Sequence, residues 1–191
     1  MGLGNPGREH LNTRHNVGFD VAETLVERWG LGRPRERFRG MISEGRIGAA
    51  PGTPASERPR VAVLTPQTYM NDSGRSVGPA RGSFKLPLER VLVIHDELDL
   101  PFGEVRSRIG GGLAGHNGLK SLKRELGGGD FVRVRVGIGR PDSTDPEIVS
   151  AWVLGPFRED RRDVRELIER AGEEVERIVL GVAAEPGGSA A

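Results

Sequence analysis

Two adjoining segments near the N-terminus hold residue types suited to moving a proton. They are Gly2-Leu3-Gly4-Asn5-Pro6-Gly7 and, shortly after, Thr13-Arg14-His15-Asn16. Imidazole titrates near neutrality, so a histidine beside side-chain amides is poised to act as a general base. The glycines are expected to supply positive φ, and Asn5-Pro6-Gly7 a bend with Pro6 at fixed φ, which throws Asn5 and His15 into one small volume. Such a base needs a carboxylate to set its tautomer and to stabilise the imidazolium. Asp96 is the best placed, at the end of the apolar run Arg90-Val91-Leu92-Val93-Ile94. Glu97 should point to the other face of an extended chain, and Asp99 lies further on. Asn5, Asn71 and Asn117 carry amides suited to a developing oxyanion. Asn71 belongs to Tyr69-Met70-Asn71 at a helix start, and Asn117 to Gly115-His116-Asn117-Gly118 after a glycine-rich loop. There is no Gly-x-Ser-x-Gly and no cysteine, so the histidine would activate water directly, without a covalent intermediate.

Each of these residues also has a plainer reading. Asparagines commonly form turns and cap helices, and a lone histidine is commonly structural. Gly2-x-Gly4-x-x-Gly7 matches the dinucleotide-binding pattern, but that pattern needs a helix opening inside the glycine run, and here the chain turns away. His95, Asp96, Glu97 and Asp99 are potential metal ligands in a row, yet strand alternation splits them between two faces, and no metal site is expected. Gly118-Leu119-Lys120-Ser121 falls short of a phosphate-binding loop. Arg106, Arg108, Lys120, Lys123, Arg133 and Arg135 read equally as a phosphate-binding face or as ordinary solvated surface.

The elements that must position these groups alternate between helix and strand. Met1–Gly4 reads as the end of a buried strand, and residues 16–29 carry apolar spacing of helical period closed by Gly30 and Gly32. Residues 36–48 and 59–65 read as strands, joined by a Pro/Gly/Ala/Ser-rich loop, 49–58, that is expected to be mobile. A helix over 70–84 should take its cap from Asn71, Asp72 or Ser73. Strands are predicted at 90–94, 105–109 and 131–138, and a helix beginning near His116 or Asn117. Residues 140–150 form a loop or short helix. A long helix with an apolar stripe from Val164 to Val182 closes the chain. This pattern predicts an α/β fold: a single-domain three-layer sandwich over residues 1–184, with a mixed twisted sheet, helices on both faces and a disordered tail at 185–191. With 191 residues the chain can bury a core unaided. The absence of cysteine excludes a disulfide framework, no apolar run reaches membrane-spanning length, and a cytoplasmic protein is expected. A net charge of +1 does not by itself announce a nucleic-acid partner.

GLGNPG, TRHNVGF, TYMNDSG, VIHDELDLPFG, GGGLAGHNGLKSL and RVRVGIGRP occur in this order and spacing, and together they resemble bacterial peptidyl-tRNA hydrolase from residue 1 to about 157. The resemblance implies a monomeric enzyme without a cofactor that hydrolyses the ester joining a peptide to the 3′ end of tRNA. It places the catalytic histidine on His15 and its carboxylate partner on Asp96. It places the asparagines that position substrate and water on Asn5, Asn71 and Asn117. Met70 and His116 fall at positions lining the peptide and 3′-end cleft, and His10 and Tyr69 are expected to be substrate- or tRNA-binding residues. Arg108 and Arg135 fall on the pair that grips the tRNA 5′-phosphate, and 140–153 on a mobile lid. The sequence departs from the family in three places. His10 stands where a tyrosine is usual. Ala114 replaces a usual glycine, which is expected to be a mild change. Met1 falls inside the first strand, which is expected to cost ladder hydrogen bonds. A non-catalytic RNA-binding relative on the same fold is the alternative reading.

Overall fold

The computed structural model describes residues 1–48 and 53–181; the expected tail, and part of the loop expected to be mobile, lie outside the described residues. Among the described residues, six strands form two three-stranded ladders. One has the order β1 (Arg35–Arg37), β2 (Gly40–Arg46), β3 (Arg60–Pro66), and the other β4 (Leu92–Glu97), β6 (Val132–Gly137), β5 (Val105–Ile109). The β4–β6 pairing is parallel, and the other pairings within the ladders are antiparallel. Met1–Leu3 lies between the ladders: Gly2 N–H donates to Leu64 O at 3.1 Å and Leu3 N–H to Ile94 O at 2.9 Å. The expected mixed sheet is therefore continuous through the N-terminal segment.

Alternation along the strands sends side chains to two cores. Val91, Val93 and Phe131 pack with α2 (Gly74–Phe84) and α3 (Asn117–Leu126), while Ile94, Val134, Val136 and Ile138 pack with α1 (Val17–Arg28) and α5 (Arg161–Leu180). The stripe read on the C-terminal helix is the one that packs, with Leu167, Ala171 and Val175 buried. Helices thus cover both faces. A fifth helix, α4 (Pro146–Leu154), lies in the segment read as loop or short helix. It is capped by Asp145, whose carboxylate accepts Glu147 N–H, and none of its residues is buried.

Three local expectations need correction. Of Gly2, Gly4 and Gly7, only Gly7 takes positive φ, at 110°. Gly2 is required by close approach instead, since a Cβ there would meet Gly18 O at 1.9 Å, where α1 crosses the first strand. The segment read as one strand over 36–48 is a hairpin, folded at Phe38 and Arg39 with φ of 56° and 53°. Neither residue type announces a turn that needs left-handed backbone. The helix over 70–84 begins with a 3₁₀ turn, Met70–Asp72, and the side chain of Ser73, its N-cap residue, makes no capping bond. Its N–H groups are met from elsewhere: Asn5 Oδ1 accepts Met70 N–H at 2.7 Å, and Ser121 Oγ accepts Gly74 N–H at 3.0 Å.

Candidate active site

The buried run of β4 ends in His95-Asp96-Glu97, and the pleat turns Asp96 away from its two neighbours. Asp96 is 4% exposed and gathers two imidazoles on one oxygen: His15 Nδ1 lies 2.9 Å from Oδ1 and His116 Nε2 lies 3.0 Å from the same atom. The proton positions follow from the partners. An ionised carboxylate only accepts, so both facing nitrogens carry protons. His116 Nδ1 accepts Gly118 N–H at 3.1 Å, so that nitrogen carries none. His116 is therefore a strut between Asp96 and the N-terminus of α3, with both ring nitrogens engaged. His15 spends only Nδ1, which leaves Nε2 as a base.

The electrostatics agree with this division. Burial pulls the His15 pKa down, but the charge and hydrogen bond of Asp96 together outweigh it, and the net shift is upward from 6.5. Burial pushes the Asp96 carboxyl up, and the His15 and His116 rings overcome that and hold it well below the usual carboxylate range. His95 is fully enclosed. Burial, aided by the neighbouring His116 ring, pulls it down to about 3, so it is neutral, and its Nδ1–H donates to Asp96 O at 2.7 Å.

The ligand atoms of His15, Asp96 and His116 lie within 4.8 Å of one another, a spacing that suits a divalent ion. The donor set does not. A metal on His116 Nε2 would move that proton to Nδ1, opposite the Gly118 N–H, and would cost α3 its cap.

These groups open onto a cleft of about 620 Å³. Asn5, Tyr69, Met70, Asn71, His116 and Asn117 line it beside His15 and Asp96. Val149 and Val153 of α4 and Leu113 give it an apolar side. Asn5 is held rigidly: Asn16 Oδ1 accepts its N–H and Asn16 Nδ2 donates to its carbonyl, both at 2.9 Å. With Oδ1 committed to Met70 N–H, Asn5 keeps its NH₂ as a donor. Ala114, at the cleft edge, has φ 45°. That backbone costs an L-residue about 1–2 kcal/mol, so the exchange for glycine is not mild.

Three expected site residues lie outside the cleft. His10 sits in the 3₁₀ turn Arg8–His10 with its ring edge-on to Tyr69, centroids 6.5 Å apart. Arg108 is exposed on β5, and Arg135 on β6 donates from Nε to Glu97 at 2.9 Å. Glu97 does face away from Asp96, as read, and its partner is an arginine. Sequence reasoning passed over Asn16, 2% exposed, and Arg14, 1% exposed. The signal for both was position: polar residues directly flanking a candidate base, ahead of an apolar helix.

Fold and site together define an α/β enzyme of the hydrolase class, in which the His15 side chain has Asp96 as its sole hydrogen-bond partner among the described residues. Residues 1–186 match the family described as Peptidyl-tRNA hydrolase. Curated peptidyl-tRNA hydrolases are similar over most of the chain. That of Geobacter sulfurreducens is 51% identical over 160 residues, covering 84% of this chain and 77% of its own. That of Azorhizobium caulinodans is 42% identical over 184 residues, covering 96% and 84%. A crystal structure of the Acinetobacter baumannii enzyme superposes with a TM-score of 0.80 at 38% identity, covering 94% of this chain and 87% of that one. The chain belongs to the peptidyl-tRNA hydrolase family, whose members cleave the ester between peptide and tRNA. Among the described residues no helix is long and apolar enough to cross a membrane.

Proposed function

We propose that this chain hydrolyses peptidyl-tRNA by direct attack of water, with His15 as the general base. The observation that carries the reading is the 2.9 Å contact from His15 Nδ1 to buried Asp96, which leaves Nε2 facing the chemistry. Nε2 takes a proton from water as its oxygen attacks the acyl carbon. Positive charge grows on the ring, and Asp96 stabilises it. The NH₂ groups of Asn117 and Asn5 and the N-terminus of α3 offer donors to the oxyanion, while Asn71 and Met70 hold the peptide side. The imidazolium returns its proton to the departing ribose oxygen, giving a peptide acid and free tRNA. An ester is activated relative to an amide, so water and one base suffice.

Tyr69, His10 and His116 border the path of the 3′ end, with His116 acting through Asp96 and α3. Arg108 and Arg135 grip a terminal phosphate remote from the ester, which adds affinity without reading bases. The protein acts as a cytoplasmic monomer, one domain over residues 1–184, and needs no metal or cofactor.

The test is His15→Ala on N-blocked aminoacyl-tRNA. A fall in kcat of about 10²–10⁴ is expected. A variant as active as the unaltered protein would remove the base.

A further inference from the structure

We infer that Arg14 is a positioning residue for the reaction, tying the C-terminal end of α4 to the turn that carries His15. The inference rests on the reading of His15 as the base.

His15 is the middle residue of a 3₁₀ turn, Arg14–Asn16. Three residues make one turn of such a helix, so successive side chains project about 120° apart. Each of the three goes to a different part of the site. Asn16 clasps the backbone of Asn5, and His15 meets Asp96. Arg14 reaches the end of α4. Its guanidinium lies 3.9 Å from the centre of the Trp152 ring and 5.3 Å from that of Phe157. Nη1 donates to Pro156 O, and Nη2 to both oxygens of Glu159, at 3.2 and 3.1 Å. The backbone joins in: Arg14 N–H donates to Gly155 O at 3.0 Å, and Thr13 bridges Pro156.

Three features separate this from ordinary bracing. First, the charge is almost fully desolvated with Nε left unpartnered, while its carboxylate partner keeps 23% of its side chain exposed. Such an arrangement is weak as a source of stability and strong as a source of orientation, because a planar fork stacked on an indole admits few geometries. Second, the attachments of α4 are concentrated at this end. None of its residues is buried, and Ile148 and Leu154 remain 49% and 44% exposed. Trp152 and Val153 also pack against the core beneath α1 and α5, and Trp152 Nε1–H donates to Gly139 O at 3.0 Å. Third, another face of the same helix lines the cleft through Pro146, Val149, Ser150 and Val153. The C-terminal end of α4 is thus the pivot, and the Asp145 end is the end that swings. A substrate pressing on Val149 and Val153 loads the residue next to the base.

Arg14→Met, Arg14→Lys and His15→Ala, compared with the unaltered full chain on N-blocked aminoacyl-tRNA, test this. Arg14→Met should lower kcat by about 10–50-fold, as a slight misplacement of a reacting group does, with KM changed less than about 3-fold. The acid limb of its kcat profile should move down toward 6.5, the ordinary imidazole value, as the hold of Asp96 on His15 loosens. Amides of 151–155 should exchange faster. Arg14→Lys should recover part of the kcat loss, since an ammonium reaches Glu159 but cannot supply the fork. If Arg14→Met does not fold, Trp152→Leu keeps Arg14 but removes its stacking face together with the Nε1–H bond to Gly139 O, and should show the same signs at about 3–10-fold in kcat. Unaltered kcat and pH profile with only a lower melting temperature would make Arg14 a brace and overturn the inference. An active His15→Ala would instead overturn the base, and the exchange of 151–155 would still report whether Arg14 holds α4.

Discussion

Two polar clusters flank the C-terminal end of β4, and they are built on opposite electrostatic plans. Around Asp96, one buried negative charge satisfies two imidazoles through a single oxygen, and His116 in turn caps α3. On the adjoining strands, Arg106 faces Arg135 and Arg108 faces Arg133 across the β5–β6 ladder. Like charges placed directly opposite destabilise a sheet. The burden is visible at Arg133, whose pKa is lowered by burial and then by Arg108 and Arg135. Compensation is partial. Glu97 takes Arg135, Glu104 takes Arg106 at 2.7 Å, and Arg133 is spent on the carbonyls of Gly110 and Gly112. Arg108 has no ion pair among the described residues. The first cluster is internally satisfied and rigid, as proton transfer requires. The second carries surplus charge at a cost, the plan that the proposed capture of a phosphate would use.

The largest effects should come from breaking the first cluster. Asp96→Ala removes both the charge and the acceptor that fixes the His15 tautomer, and kcat should fall about 10⁴-fold, as when a base is left in the wrong tautomer. Asp96→Asn is the sharper probe. Both histidines share Oδ1, so an amide oxygen there can keep both hydrogen bonds and lose only the charge. A loss of about 10²-fold is expected. If Asn fell as far as Ala, charge rather than tautomer would be the function of Asp96.

The same contact sets the pH response. The His15 pKa is raised above 6.5, and only the unprotonated Nε2 is a base, so activity should fall as pH drops through that raised value. Stability runs the other way for this residue. The His15–Asp96 contact contributes fully below 6.5 and is lost as pH rises through the folded value. Asp96, lowered from 3.8, contributes above that value and loses its contribution as pH falls below it. A kcat/KM profile whose acid limb lay below 6.5 would contradict the pairing.

Much of the first cluster could be read from the sequence, because its logic is local. An apolar run ending in His-Asp-Glu announces a strand end, and a glycine loop before His116-Asn117 announces a helix start. What escaped was everything whose partner lies far along the chain. Asn5 reads as a turn former and in fact receives the N–H of Met70, 65 residues away. Arg14 draws no reading of its own and in fact bonds Pro156, 142 residues away. The glycines of GLG read as suppliers of positive φ, while Gly2 and Gly18 are needed so that α1 can lie directly on the N-terminal segment. Composition and period report on faces and ends of elements. They carry no information on which buried acceptor a given donor will meet.

The smallest effects, and the most selective, belong to the second cluster. Arg108→Ala and Arg135→Ala should each raise KM with little change in kcat, because both act far from the ester. Each should also flatten the salt dependence of binding, by about 0.7–0.9 in slope for every phosphate no longer neutralised. Stability should tell the two apart. Arg108 is exposed and without an ion pair among the described residues, so its removal relieves Arg133 and should leave the melting temperature unchanged or slightly raised. Arg135 holds Glu97, which is 5% exposed, so its removal strands a buried carboxylate at a cost of about 1–3 kcal/mol. Adding Glu97→Gln to Arg135→Ala should recover much of that stability and none of the KM. An unchanged KM in both single variants would mean that the surplus charge on β5 and β6 grips no phosphate, and the contrast between the two clusters would lose its functional meaning.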